Sequence, residues 1–232
     1  MRPFDPDRPL VFIHVPKTAG NSVRAVFADW FGPGLIPHYY DEVAGRPPQR
    51  DPRFDSHSRA APVCVHGHFN RNRAFGVADT YPEATQFVTL LRDPFEMACS
   101  SYFFTRKASA GWKDRSRVPQ GDLPTHLEEA APNMLNHFPC VVTEANYREV
   151  IETHFVGIGV TERLAESLAR IAAALGRSFD PARLGRLNVT ERDTAGLDLG
   201  ALRMRYRDRH PLEFAVYDHV RWLFDRRPAL LP

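Results

Sequence analysis

The sequence predicts an α/β fold, a parallel sheet flanked by helices in a single domain. Two observations carry this. Short apolar runs rich in β-branched and aromatic residues alternate along the chain with segments of helical periodicity, which is the pattern of parallel strands joined by crossover helices. The first run, "PLVFIHV" at 9–15, is continuously apolar, as expected of a central strand buried on both faces. A chain of 232 residues with 43% hydrophobic and 25% charged residues can build such a core without a second domain.

The elements follow in order. After the first strand, "SVRAVFADWF" sets Val23, Val26, Phe27, Trp30 and Phe31 at helical spacing, and Gly32 and Pro33 stop the helix. Residues 32–62 are Pro-rich and polar and read as a long loop. "PVCVHGHF" at 62–69 is a second strand that ends at Gly67, and Phe87–Leu91 is a third that ends at Arg92. A helix follows with Pro94 in its first turn. Residues 105–126 are polar and basic, a loop or a loop with a short helix. Phe155–Val160 is another strand. Leu164, Leu168, Ile171 and Leu175 then share one helix face that Gly176 closes. Residues 184–196 read as loop, and "PLEFAVYDHVRWLF" as a closing helix.

Composition narrows the function. A formal net charge of +2 gives no argument for nucleic acid. Cys64, Cys99 and Cys140 are scattered, with no CxxC pair, so neither a disulfide framework nor a zinc ribbon is expected. No stretch reaches the roughly 18 apolar residues of a membrane span, and the first residues lack a signal-peptide pattern. The expectation is a cytoplasmic protein.

The first strand-to-helix turn, "HVPKTAGNSV", is the first candidate site. The opening N–H groups of a helix have no intrahelical partner, and the helix dipole adds positive potential. An anion fits there. Gly20 allows close backbone approach, Lys17 adds a charge, and Thr18 and Ser22 add hydroxyls. The order differs from GxxxxGK[ST], because the lysine precedes the glycine. No apolar strand ends in a plain magnesium-binding Asp, and Arg92-Asp93-Pro94 comes nearest. Magnesium-dependent nucleotide hydrolysis is therefore disfavoured. Arg92, at the end of the third strand, offers a guanidinium that can meet an anion. Arg92 could also serve as a structural ion-pair partner.

His66 and His68 lie two apart, so in extended chain both point to one side. Such spacing can bind metal, yet no third ligand is evident nearby. Either histidine could be a hydrogen-bonded structural residue. An imidazole with an ordinary pKa of about 6.5 is also suited to take a proton from a hydroxyl.

"HVPKTAGNSV" resembles the 5′-phosphosulfate loop of sulfotransferases that use 3′-phosphoadenosine 5′-phosphosulfate, and is most similar to the carbohydrate group that includes the uronyl 2-O-sulfotransferases. "LLRDPFEMACSSYFF" resembles that group's 3′-phosphate segment, with Arg92, Ser100 and Tyr102 at the matching places. Met97 stands where the group usually has a further Arg. "VHGHF" resembles the group's His-Gly-His strand end. The similarity spans roughly residues 10 to 225, more loosely in the C-terminal half.

The resemblance implies a P-loop-like fold and one sulfotransferase domain over residues 1–232. It implies a donor site of Lys17, Thr18, Ala19, Gly20, Asn21, Ser22, Arg92 and Ser100, and no metal. It implies sulfuryl transfer from the donor nucleotide to a hydroxyl acceptor, most readily a carbohydrate. His68 would be the base, Lys17 would stabilise the leaving phosphate, and His66 would orient His68 or the acceptor. Arg106, Lys107, Lys113, Arg115 and Arg117 form a basic stretch that suits an anionic acceptor or is simply solvated. Residues 32–62 and 106–126 are expected to flank the acceptor entrance. Two alternatives stand beside this reading: a nucleotide-binding regulatory module without turnover, and a P-loop kinase or hydrolase.

Overall fold

Strand β1, Leu10–Ile13, sits at the centre of a five-stranded sheet because every one of its residues is apolar and buried. The computed structural model describes residues 1–184 and 192–226. The other strands are β2 (Leu35–His38), β3 (Cys64–Gly67), β4 (Phe87–Leu91) and β5 (Phe155–Val160), in the order β2-β3-β1-β4-β5. All pairings are parallel, with Val11 opposite both Val65 and Phe87.

Side chains alternate across the sheet. Leu10 and Phe12 pack with Val23 and Phe27 of helix α1 (Gly20–Phe31) and with Leu168 and Ile171 of a helix over Leu164–Ala174. Val11 and Ile13 belong to the opposite face, with Ile151, Val216 and Val220. The remaining α-helices are α2 (Val77–Thr80), α3 (Pro94–Ala108), α4 (Leu123–Glu129), α5 (Tyr147–His154), α6 (the Leu164–Ala174 helix), α7 (Leu199–Arg209) and α8 (Pro211–Arg226). A third cluster joins α3, α4, α7 and α8 through Phe95, Tyr102, Leu127, Tyr206 and Phe214.

The chain leaves β1 towards β2 on one side of the sheet and leaves β4 towards β5 on the other. The connections therefore diverge between the carboxyl ends of β1 and β4, the place where open parallel sheets hold their ligands. Lys17 follows β1 and Arg92 follows β4.

The sequence reading needs correction in one strand and three helices. The segment 32–62 is not wholly loop, because Leu35–His38 forms an edge strand. Flanking Gly and Pro conceal it, and Pro37 is tolerated because it lies on the edge. His38 turns its carbonyl towards β3, where it accepts from His68 N at 2.9 Å, so by alternation the backbone nitrogens of Leu35 and Pro37 face outward. Leu35 N–H is used by Gly32 O. Helices α2, α5 and α7 were not expected. The loop read over 184–196 lies largely outside the described residues.

Candidate functional site

The turn between β1 and α1 is held in a tight, unusual conformation. Lys17 and Ala19 both take left-handed backbone angles, φ 68° and 61°, each costing about 1–2 kcal/mol for a residue with a Cβ. Strain of this kind is characteristic of functional turns. Thr18, fully buried, donates its hydroxyl to Val15 O at 2.7 Å and closes the turn on itself. Helix α1 has no side-chain cap and no acidic residue in its first turn. The N–H groups of Gly20, Asn21 and Ser22 thus face the loop without a carboxylate or hydroxyl taking their place.

Three cations converge beside this turn. Arg92 donates from Nη1 to Lys17 O at 3.1 Å. Its Nη2 lies 3.9 Å from Glu96, which also accepts from Arg192 at 2.7 Å. Lys17 Nζ rests 3.7 Å above the Phe104 ring. Burial, then the charges of Arg92 and Arg192, push the Lys17 ammonium down to about 8. Burial and then Arg192 likewise lower Arg92, with Glu96 and Glu162 partly offsetting them. Among the described residues, Lys17, Arg92 and Arg192 outnumber the two carboxylates that offset them, Glu96 and Glu162, an excess of positive charge that a bound anion would neutralise. Ser100 is buried on α3. It stands one turn from Glu96 and one turn from Phe104, and so on the helix face that meets Lys17. Asp93 has other work: it caps α3 through Glu96 N at 3.1 Å and pairs with both terminal nitrogens of Arg203.

His68 follows β3 and is held from both sides. Its N–H donates to His38 O at 2.9 Å, while Gly67 O accepts from His14 N at 2.8 Å. Gly67 is required, since a Cβ there would lie 1.8 Å from His38 O. The His68 Nδ1 is 2.7 Å from the carbonyl oxygen of His14. A carbonyl only accepts, so Nδ1 carries the proton and Nε2 carries the lone pair. The ring is half-buried and stacks on His14 at 4.4 Å between centroids, with Tyr39 edge-on at 4.9 Å. Burial lowers its pKa, opposed by the hydrogen bond to His14 and by Glu42. The imidazole is therefore neutral near pH 7 and presents Nε2 as a base.

His66 is placed differently. It is fully buried, stacks on Phe12 at 4.5 Å, and pairs through Nδ1 with Tyr39 Oη at 2.7 Å. Burial drives its pKa down to about 3, and its Nε2 is enclosed without a hydrogen-bond partner. His66 lies under the site rather than in its mouth. Tyr39 Oη also meets His14 Nδ1 at 3.2 Å, and His137 closes the cluster 6.1 Å from the His68 ring. Among the described residues no group of three or more His, Cys, Asp or Glu could hold a metal ion, and no helix is long and apolar enough to cross a membrane.

The two long polar segments meet at Glu42. Its carboxylate pairs with Arg73 at 3.2 Å and with Arg117, and its carbonyl accepts from Lys113 N at 3.0 Å. Arg73 stacks on Tyr40 at 3.8 Å, and Arg117 lies 5.2 Å from the Trp112 ring. Glu42 and Arg73 both act on the His68 ionisation, so this junction borders the His68 ring. Arg106 and Arg115 are engaged otherwise: they donate to Gly121 O at 2.9 Å and Ser109 O at 3.0 Å. The basic stretch is thus partly internal scaffolding.

Sequence reasoning missed His14, Tyr39, Phe104, His137 and Arg192. His14 stands inside the quoted motif and could have been found there. Tyr39 was hidden in the segment taken for loop.

No family model matches the chain, and no curated protein matches it. Among solved structures it is similar to mouse sulfotransferase SULT7A1 complexed with PAP, at 13% identity and a TM-score of 0.47. That likeness covers 77% of this chain, which spans only 61% of the mouse protein's length.

Proposed function

We propose that this protein is a sulfotransferase, its chain one catalytic domain, that moves a sulfuryl group from 3′-phosphoadenosine 5′-phosphosulfate to an acceptor hydroxyl. The observation that carries the reading is the pairing of two anion sites across the diverging strand ends. Lys17 and the uncapped α1 terminus form one, Arg92 and Ser100 the other, and the 3.1 Å bond from Arg92 to Lys17 O joins them. Two neighbouring anion sites on separate strand ends suit a nucleotide that carries a phosphosulfate and a separate 3′-phosphate.

In this reading the acceptor oxygen attacks sulfur as the bond from sulfur to the bridging phosphate oxygen breaks. His68 Nε2 takes the acceptor proton. Lys17 and the first-turn N–H groups of α1 meet the charge that develops on the leaving phosphate. Positioning and fixed positive charge then provide most of the acceleration. His66 supports the site from below through Tyr39. The acceptor is a carbohydrate hydroxyl, in keeping with the motif resemblance, and Tyr40, Trp112, Arg73 and Arg117 offer aromatic faces and guanidinium groups for an anionic sugar.

A regulatory module without turnover would have no need of a neutral imidazole locked in one tautomer. A magnesium-dependent kinase or hydrolase is disfavoured because Asp93, the nearest candidate ligand, is engaged by Arg203. Calorimetry with adenosine 3′,5′-bisphosphate and with ATP, each with and without magnesium, tests the reading. The bisphosphate should bind with no magnesium requirement. Tight binding of ATP only in the presence of magnesium would overturn it.

A further inference from the structure

His14 meets both halves of the site, and neither the motif resemblance nor the proposed chemistry gives it a role. Its backbone N–H donates to Gly67 O at 2.8 Å, and its carbonyl holds His68 Nδ1 at 2.7 Å. Its ring stacks on the His68 ring with 4.4 Å between centroids and 24° between planes. The same ring lies against Gly20, so closely that a Cβ at that position would sit 1.9 Å from His14 Cε1 and 2.0 Å from Nε2. The ring's azimuth is set by Tyr39 Oη, 3.2 Å from His14 Nδ1, which is anchored in turn by His66 Nδ1 at 2.7 Å. His14 Nε2 is enclosed without a hydrogen-bond partner. A residue present only to fill space would not leave a polar atom orphaned there.

We propose that the His14 side chain is a positioning residue, a spacer whose ring sets the His68 imidazole against the donor turn at Gly20, with the Tyr39 hydroxyl as its anchor. The inference rests on the reading of His68 as the base. The ring does two things at once. It gives His68 a flat surface that allows one orientation of the imidazole plane. It also transmits the position of the α1 terminus to the base, because His14 cannot move towards either without displacing it. Burial and the neighbouring histidines hold the His14 ring neutral, so a proton taken from an acceptor stays on His68.

The test uses the whole chain labelled with ¹⁵N-histidine. Long-range ¹H–¹⁵N spectra across a pH series report the tautomer and pKa of His68, and calorimetry on the same samples reports affinity for adenosine 3′,5′-bisphosphate. Wild-type His68 should show the Nδ1–H tautomer. In His14→Ala the imidazole, no longer held flat by the ring, should turn off the backbone carbonyl of residue 14, so the tautomers should mix and the His68 pKa should rise towards about 6.5, its unperturbed value. In Tyr39→Phe the same changes should appear, smaller, with bisphosphate affinity within about threefold of wild type. If His14→Ala does not fold, Tyr39→Phe decides alone. Wild-type tautomer and pKa in the folded variants would overturn the proposal. Failure of the wild-type protein to bind the bisphosphate would instead overturn the sulfotransferase reading, and the spectra would still report whether His14 orients the imidazole.

Discussion

Arg92 Nη1 donates to the carbonyl oxygen of Lys17 at 3.1 Å, tying the residue that follows β4 to the turn that follows β1. The bond leaves the rest of the guanidinium beside the Lys17 ammonium, and the carboxylate nearest that guanidinium, Glu96, is shared with Arg192. The affinity proposed for an anion with two charged ends rests on it.

Adenosine 3′,5′-bisphosphate should bind without metal and more tightly than AMP by about one to two decades, the worth of a charge-assisted phosphate contact of roughly 1.5–3 kcal/mol. Arg92→Ala should erase that difference. Calorimetry with the two nucleotides measures it, and equal affinities for the wild-type protein would remove the 3′-phosphate assignment.

His68→Ala should lower turnover by about two to four decades and leave bisphosphate affinity nearly unchanged, because the role proposed for the ring is on the acceptor proton. Near wild-type turnover would move attention to a nearby carboxylate, Asp41 or Glu42.

The pH profile of turnover should have two limbs. His68 must be neutral to act, and burial lowers its pKa, so the acid limb should fall below about 6.5, the ordinary histidine value. Lys17 must be charged, and its ammonium is pushed down to about 8. Bisphosphate affinity should therefore decline as pH rises through that value. A flat affinity from neutral to alkaline pH would show that Lys17 does not hold the anion.

Acid should destabilise the fold in a defined window. His38, His66 and His137 are buried neutral, with pKa values driven down to about 4, about 3 and about 3, in each case chiefly by burial. The unfolded chain binds their protons below about 6.5 and the folded chain does not, so each costs roughly 1.4 kcal/mol per pH unit from there down to its folded pKa. Glu213 acts in the opposite sense. Burial raises it to about 7, so between that value and the usual carboxylate range the folded state holds the extra proton. Thermal melts across the acid range should show stability falling with pH, and His137→Asn should flatten the slope. An unchanged slope would mean that His137 is already protonated in the folded protein.

Arg117→Ala should raise the apparent KM for an anionic acceptor by about two- to fivefold, in line with a partly exposed charge worth up to about 1 kcal/mol, without weakening the bisphosphate. Arg115→Ala should instead lower the melting temperature, since that guanidinium holds Ser109 O. A loss of donor affinity in Arg117→Ala would assign the loop to the nucleotide.

Strands β4 and β5 were legible to the residue because both are buried throughout and, Thr89 apart, without polar side chains. Helix α7 escaped because its sequence is polar on nearly every side, with Leu202 and Tyr206 alone buried. The donor turn was legible from Lys17 and Gly20, but the left-handed angle of Lys17 was not, since nothing in its side chain favours it. The histidine cluster depends on contacts between residues far apart in the chain. Tyr39 lies 25 residues from His14 and 27 from His66, and only the sheet order brings β3 and the end of β2 beside β1.

The outer border of β2 has a further consequence. Of its two outward-facing backbone nitrogens, Leu35 N–H is taken by Gly32 O and Pro37 has no hydrogen to give. That rim offers carbonyl oxygens and no donors, so an extended segment from another molecule cannot continue the ladder there. The same proline that hid the strand from sequence reading guards this side of the sheet against edge-to-edge aggregation.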